Sequence, residues 1–284
     1  MSATTSISLS PGVIASRDAS HFALAVNAFW AILQRDMVIT AREFVPFLLQ
    51  ALIQPLFFLF IFGKVLPGMG LAAGNFAPLM LPGIVALTIL VAAMQGVTLP
   101  LVLDLGYARE IDDRLLSPLP IALVAYEKVL FAMVRGVIAG SVIFPLAYVI
   151  LGDRYAVRTD HIGMLIAMIL LTAAMGSGIG LVMGTSIKPE QISLMFTLIF
   201  APLLFTGCTY YPWSLLSTIR WFQVLVLFNP LTYAAEGLRH SMVPPVNGRE
   251  IPTLGMQWVL LALCASFVIT LIWGSRAFRS RVVS

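Results

Sequence analysis

The groups that could do chemistry in this chain are few, and their spacing is wrong for it. His21, His161 and His240 are scattered along 284 residues, and none stands at metal-ligand spacing from a cysteine or carboxylate. Cys208 ends one apolar run and Cys264 lies inside another, so two unpaired thiols are expected rather than a disulfide or a metal pair. No serine sits in a G-x-S-x-G elbow. Gly63-Lys64 is followed by Val65, where a phosphate loop requires Ser or Thr. A catalytic site, a bound cofactor and a bound metal are therefore not expected in this chain.

The polar groups inside the apolar runs narrow the transport chemistry. Proton-driven carriers build their pathways from titratable groups at membrane depth. Here the apolar runs hold no Asp, Glu or His in their interiors, only Arg135, whose long side chain can snorkel to the boundary. Gln50, Gln54 and Gln95 are polar but uncharged. An ion-coupled secondary transporter is disfavoured on this ground and stays as the alternative. Gly176, Gly180 and Gly184 stand four residues apart, on one helix face where another backbone can approach closely. Tight packing within a bundle is the favoured role for that face, and a pliable moving surface the other.

Composition fixes the elements that must position these groups. Hydrophobic residues make up 60% of the chain and charged ones 11%, against about 25% charged in an average globular protein. A water-soluble fold of this size could not cover so much apolar surface, so lipid must. The net charge of +4 does not imply nucleic acid, because the positive residues flank apolar runs instead of clustering on a polar face. Arginine outnumbers lysine 14 to 3, which points to a GC-rich bacterial genome.

A crossing helix needs roughly 20 apolar residues. That ruler gives spans over 44–66, 78–103, 129–151, 162–187, 192–208 and 256–274. The expected fold is an all-α polytopic membrane protein with six transmembrane helices. The first span can direct insertion without a cleaved signal. Placing both termini in the cytoplasm puts Arg17, Arg35, Arg42, Arg109, Arg114, Lys128, Lys188, Arg276, Arg279 and Arg281 inside. Lys64, Arg154, Arg158, Arg220, Arg239 and Arg249 are then outside, a ten-to-six bias of the right sign. The organisation is a cytoplasmic N-terminus over 1–43, a spanning domain over 44–274 and a basic cytoplasmic tail over 275–284.

Three segments that do not cross carry more information. Within 21–40, Phe22, Val26, Phe29, Trp30, Leu33 and Met37 fall at helical spacing, while Asn27, Gln34, Arg35 and Asp36 lie mostly off that stripe. This is the pattern of an amphipathic helix in the cytoplasmic interface. The loop 104–128 holds eight charged residues, and its 107–116 stretch can form a short helix that Pro118 and Pro120 stop. A polar helix held between two spans is suited to taking a push from a soluble partner. Over 209–250, prolines punctuate short apolar stretches and Tyr210, Tyr211, Trp213, Trp221 and Tyr233 suit a membrane boundary. Short re-entrant helices dipping in from the outer side are expected there.

Two motifs in these segments resemble the type-two ATP-binding-cassette permeases, the membrane halves of exporters of the daunorubicin-resistance and Nod-factor kinds. The loop pattern R-E-x-x-x-[ED]-R-L-L-x-[ST]-P reads here Arg109-Glu110-Ile111-Asp112-Asp113-Arg114-Leu115-Leu116-Ser117-Pro118, with Lys128 following. The pattern N-P-[LF]-[TS]-Y-x-x-E-x-[LR]-R before the last span reads Asn229-Pro230-Leu231-Thr232-Tyr233, then Glu236, Leu238 and Arg239. The acidic position of the first pattern is spread over Asp112 and Asp113.

The resemblance implies a permease subunit of an exporter in the bacterial cell membrane. It would move an amphipathic drug, lipid or glycolipid outward, with polysaccharide or lipooligosaccharide export as a further branch. It implies two ATP-binding-cassette ATPase partners carrying the ATP and Mg, and a second copy of the chain or a close paralogue beside it. Tyr107, Arg109, Glu110, Asp113, Arg114, Leu115, Ser117 and Pro118 would then form the coupling element, and Asn229, Pro230, Tyr233, Glu236 and Arg239 the re-entrant motif. First, second and fifth spans would line the pathway.

Overall fold

The computed structural model of the chain describes residues 11–70, 76–108, 121–245 and 251–283, with side chains over 26–70, 76–106, 123–245 and 251–281. Among them there is no strand, and six helices are long and apolar enough to cross a membrane. The protein is an all-α polytopic membrane protein.

A helix that is apolar all round must be surrounded, and one with a single buried stripe stays at the edge. That rule sorts the six. Helix α1 (Pro11–Arg42) precedes them. The spans are α2 (Phe44–Gly68), α3 (Phe76–Leu103), α4 (Ile121–Leu151), α5 (Ile162–Ser186), α6 (Ile192–Thr206) and, last, Met256–Val283. In α3, 78% of the apolar window is buried, against 22% for the first span and 11% for the fifth. Helix α3 is the hub: α4, α5 and α2 all pack on it, and α5 also carries the last span.

The hub is held by close backbone approach as well as by apolar burial. A Cβ at Gly176 would lie 2.6 Å from the Leu90 carbonyl oxygen, and one at Gly180 2.5 Å from that of Met94. One turn on, the Thr98 hydroxyl donates to the Met94 carbonyl and, at 3.1 Å, to the Gly180 carbonyl across the contact. Gly184 extends the same face against Leu101.

Between α6 and the last span the chain makes short helical pieces. A 3-10 turn (Trp213–Thr218) leads into α7 (Arg220–Leu225), a second 3-10 turn (Val226–Phe228) and α8 (Pro230–Met242). Asn229 caps α8 by accepting from the Leu231 amide, with Pro230 at the first turn where no amide is needed. Helix α8 packs against α3, α5 and the last span, here α9 (Met256–Val283). Leu231, Ala234, Ala235 and Leu238 face the main core.

Three boundaries differ from the sequence expectation, one of them the end of α9, which runs through the basic residues to Val283 instead of stopping near 274. Helix α1 is longer than the 21–40 stretch; Leu33 and Asp36 turn into the protein while Val26, Trp30 and Met37 face outward. Helix α4 begins at Ile121, not near 129, so Glu127 and Lys128 lie inside a helix and are buried. Hydropathy ended the span at the first charges, but those charges are compensated within the protein and the helix runs through them.

Candidate functional site

Alternation of the spans puts α1, the 104–121 connection and the end of α9 at one end of the bundle, and α8 at the other. Three polar constellations stand along that axis.

At the α1 end, Lys128 of α4 donates to the Asp36 carboxylate of α1, both side chains being under a tenth exposed. Arg35 reaches the same carboxylate at 3.3 Å, and Glu127 lies 3.8 Å from the Lys128 amine. Seven residues further along α4, Arg135 lays its guanidinium over the Phe47 ring at 4.4 Å, with Phe131 at 5.8 Å. Lys128, Phe131 and Arg135 share one helix face, three and seven residues apart. They line a cavity of about 290 Å³ with Arg35, Asp36, Glu43 and Gln50. Arg135 thus turns to aromatic faces beside this cavity. The sequence signal for this face was the 128-131-135 spacing, hidden by assigning Lys128 to a loop.

Deeper in, Gln50 and Gln54 of α2 meet Gln95 and Thr88 of α3, with Phe200 of α6, around a small cleft of about 70 Å³. Gln54 lies ten residues into the 25-residue α2, roughly 15 Å along its axis. None of the three glutamines has a hydrogen-bond partner among the described residues, whereas Thr88 donates to the Ile84 carbonyl. Gln50 lines this cleft and the larger cavity alike. The sequence showed these carboxamides but not that they converge.

At the α8 end, Glu236 and Arg239 form an ion pair with side chains wholly buried. Arg239 also donates to the carbonyls of Leu79 at 3.1 Å and Cys208 at 3.0 Å. Glu236 accepts from the backbone amides of Trp213 at 2.9 Å and Leu254 at 3.3 Å. One side-chain pair therefore joins α3, the turn after α6, the 3-10 turn before α7 and the strap before α9. Asn229 adds bonds to the Leu203 carbonyl and the Thr206 hydroxyl, while Tyr233 and Pro230 sit half-buried beside it. Cys208, whose carbonyl Arg239 holds, is wholly buried just past α6. His161 and His240, far apart in sequence, bring their rings to 6.5 Å, and His161 contacts Arg158.

The expected coupling residues Arg109, Glu110, Asp113, Arg114, Leu115, Ser117 and Pro118 lie outside the described residues. So does the side chain of Tyr107, whose backbone belongs to a π-helical turn, Asp104–Ala108, that continues α3.

Six spans around a buried hub, with a charged connection at one end and a helix pinned by an internal ion pair at the other, form a recognisable frame. The profile of the ABC-2 type transporter family matches residues 27–243. The chain belongs to that family. No curated protein matches it. As an ABC-2 permease it is a membrane-embedded transport component whose ATP is hydrolysed by partner ABC ATPase subunits. The match begins within α1 and ends just after α8, so both the Asp36–Lys128 pair and the Glu236–Arg239 node fall inside the family unit.

Proposed function

We propose that this permease works as a pair of copies, or with a close paralogue, to export an amphipathic drug, lipid or glycolipid from the bacterial cytoplasmic membrane. The α1 end then faces the cytoplasm and the α8 end faces outward, as the arginine and lysine bias favours. Two ATP-binding-cassette subunits dock on the 104–121 connection, with Arg109, Glu110 and Arg114 as the charged grip.

The observation that carries the reading is the glutamine cleft. A carboxamide facing hydrocarbon without a partner costs several kcal/mol. Gln50, Gln54 and Gln95 therefore favour a face that meets water, substrate or another protein surface. The surrounding helices are open in the same sense: Leu49, Ile53 and Phe57 of α2 and Leu194, Leu198 and Phe205 of α6 are each more than half exposed. A second copy placed against α2 and α6 would cover those apolar residues and enclose the cleft as a path between the two. Uncharged carboxamides suit a substrate that needs hydrogen bonds without a fixed charge along an otherwise apolar route.

The reading is tested by purifying the chain with its ATPase partner and measuring ATP turnover and substrate efflux in vesicles. Replacing Arg109, Glu110 and Arg114 together by Ala uncouples turnover from the permease. Replacing Gln54 and Gln95 by Leu leaves basal turnover intact and lowers efflux. Turnover unchanged by the triple replacement would sink the coupling role. Efflux that proceeds with no ATPase and collapses with the proton gradient would favour a secondary carrier instead.

A further inference from the structure

We propose that the cavity between α1, α2 and α4 binds the phosphate headgroup of a lipid-like amphiphile, with Arg135 as its anchor. The guanidinium has five donors in a fixed fork and is always charged. Here it has no hydrogen bond among the described residues, and its Nε is buried with no acceptor. Phe47 and Phe131 stabilise the charge by their ring faces but offer it no conventional acceptor. Nor does any of the three carboxylates on the cavity wall, Asp36, Glu43 and Asp104, hydrogen-bond it. Asp36 is engaged by Lys128 and Arg35, and Glu43 attracts Arg135 across the cavity without forming an ion pair with it. The donors point to an acceptor that comes from outside the chain.

Size and surroundings say what kind. About 290 Å³ is close to the lower end of small-molecule sites and holds far more than one water. A phosphate offers a guanidinium fork two parallel N–H···O bonds. Apolar Ile39 and Pro46 line the same cavity, and their neighbours Val38 and Val45 are exposed. Acyl chains can lie along that flank while the headgroup occupies the cavity, which favours an amphiphile over free phosphate. Gln50, shared with the glutamine cleft, would be the first group met on the way inward. Only that last step rests on the export reading; the binding itself does not.

The test uses the full chain in neutral detergent, without any ATPase, and follows fluorescence anisotropy of a phosphatidic acid labelled on its tail. Loss of a charge-assisted pair predicts that R135Q weakens binding at least about tenfold. R135K, which keeps the charge and loses the fork, falls between. R276Q, which removes an exposed positive charge on α9, leaves affinity unchanged. Should R135Q fail to fold, Thr40→Trp fills the cavity with Arg135 in place and carries the same expected loss. Equal binding by wild type and R135Q, or an equal loss in R276Q, overturns the proposal. Displacement of the lipid by inorganic phosphate at matching concentration overturns its amphiphile part. Failure here leaves the coupling experiment untouched, and failure there leaves the binding result standing.

Discussion

Lys128 and Asp36, 92 residues apart in sequence, form an ion pair inside the protein that fastens α1 to α4. Both side chains are under a tenth exposed, with Arg35 at 3.3 Å from Asp36 and Glu127 at 3.8 Å from Lys128 as their other charged neighbours. Such a pair adds little net stability over an apolar replacement, but removing one partner strands the other at about 3–5 kcal/mol. What the pair does provide is a preference for one register of α1 on α4.

D36N and K128M should therefore each lower the thermal midpoint of the purified chain sharply. The double variant should recover part of that loss, because the stranded charge is gone. Recovery stays partial, since Glu127 remains 3.8 Å from the vacated position. Differential scanning fluorimetry on the four proteins decides it. A double variant at least as unstable as the sum of the singles would mean the two residues do not act as a pair.

The glycine face of α5 makes a sharper claim about packing. At Gly180 even one methyl would sit 2.5 Å from the Met94 carbonyl oxygen, and the obstacle is backbone rather than a flexible side-chain end. Helices α3 and α5 would have to separate, weakening the Thr98–Gly180 bond as well. G180A should cost about 1–3 kcal/mol, the usual penalty of overpacking. Gly163, at the start of the same helix with nothing within 4 Å, is the control. G163A should be neutral or slightly stabilising, as alanine favours helix. Equal midpoints for G180A and wild type would show that the interface is looser than this contact.

How far the fold was legible follows from the length of each signal. Spans announce themselves through some 20 consecutive apolar residues, and all six were readable to within a few positions except where charge intruded. Glu127 and Lys128 looked like the end of a loop because hydropathy counts a charge as polar whether or not Asp36 meets it. The same blindness hid the pairing inside α8. Glu236 and Arg239 were placed in a segment of short re-entrant helices, but not their partners: both are wholly buried, and Arg239 bonds the Leu79 carbonyl, 160 residues away. The three glutamines could be named from sequence, but their convergence depends on how α2 crosses α3, which no local pattern records.

The Glu236–Arg239 pair permits a prediction with an internal order. Arg239 has three kinds of partner, and two of them, the Leu79 and Cys208 carbonyls, survive loss of the carboxylate. Glu236 keeps the Trp213 and Leu254 amides when Arg239 is removed, but two neutral donors leave a wholly buried negative charge poorly compensated. R239M should therefore destabilise more than E236Q, by about 3–5 kcal/mol for the former. In E236Q the amide oxygen still accepts from Trp213 and the guanidinium still has its carbonyls, so a loss of about 1–3 kcal/mol is expected. Because Arg239 holds the Cys208 carbonyl in the turn after α6 and steadies the carboxylate that accepts from Trp213, R239M should also loosen the chain from that turn into Trp213–Thr218. Arg220 is exposed just beyond it, and trypsin should cut there faster in R239M than in E236Q at temperatures where both remain folded. The reverse order of cleavage would show that the carboxylate, and not the guanidinium, holds this end of the permease together.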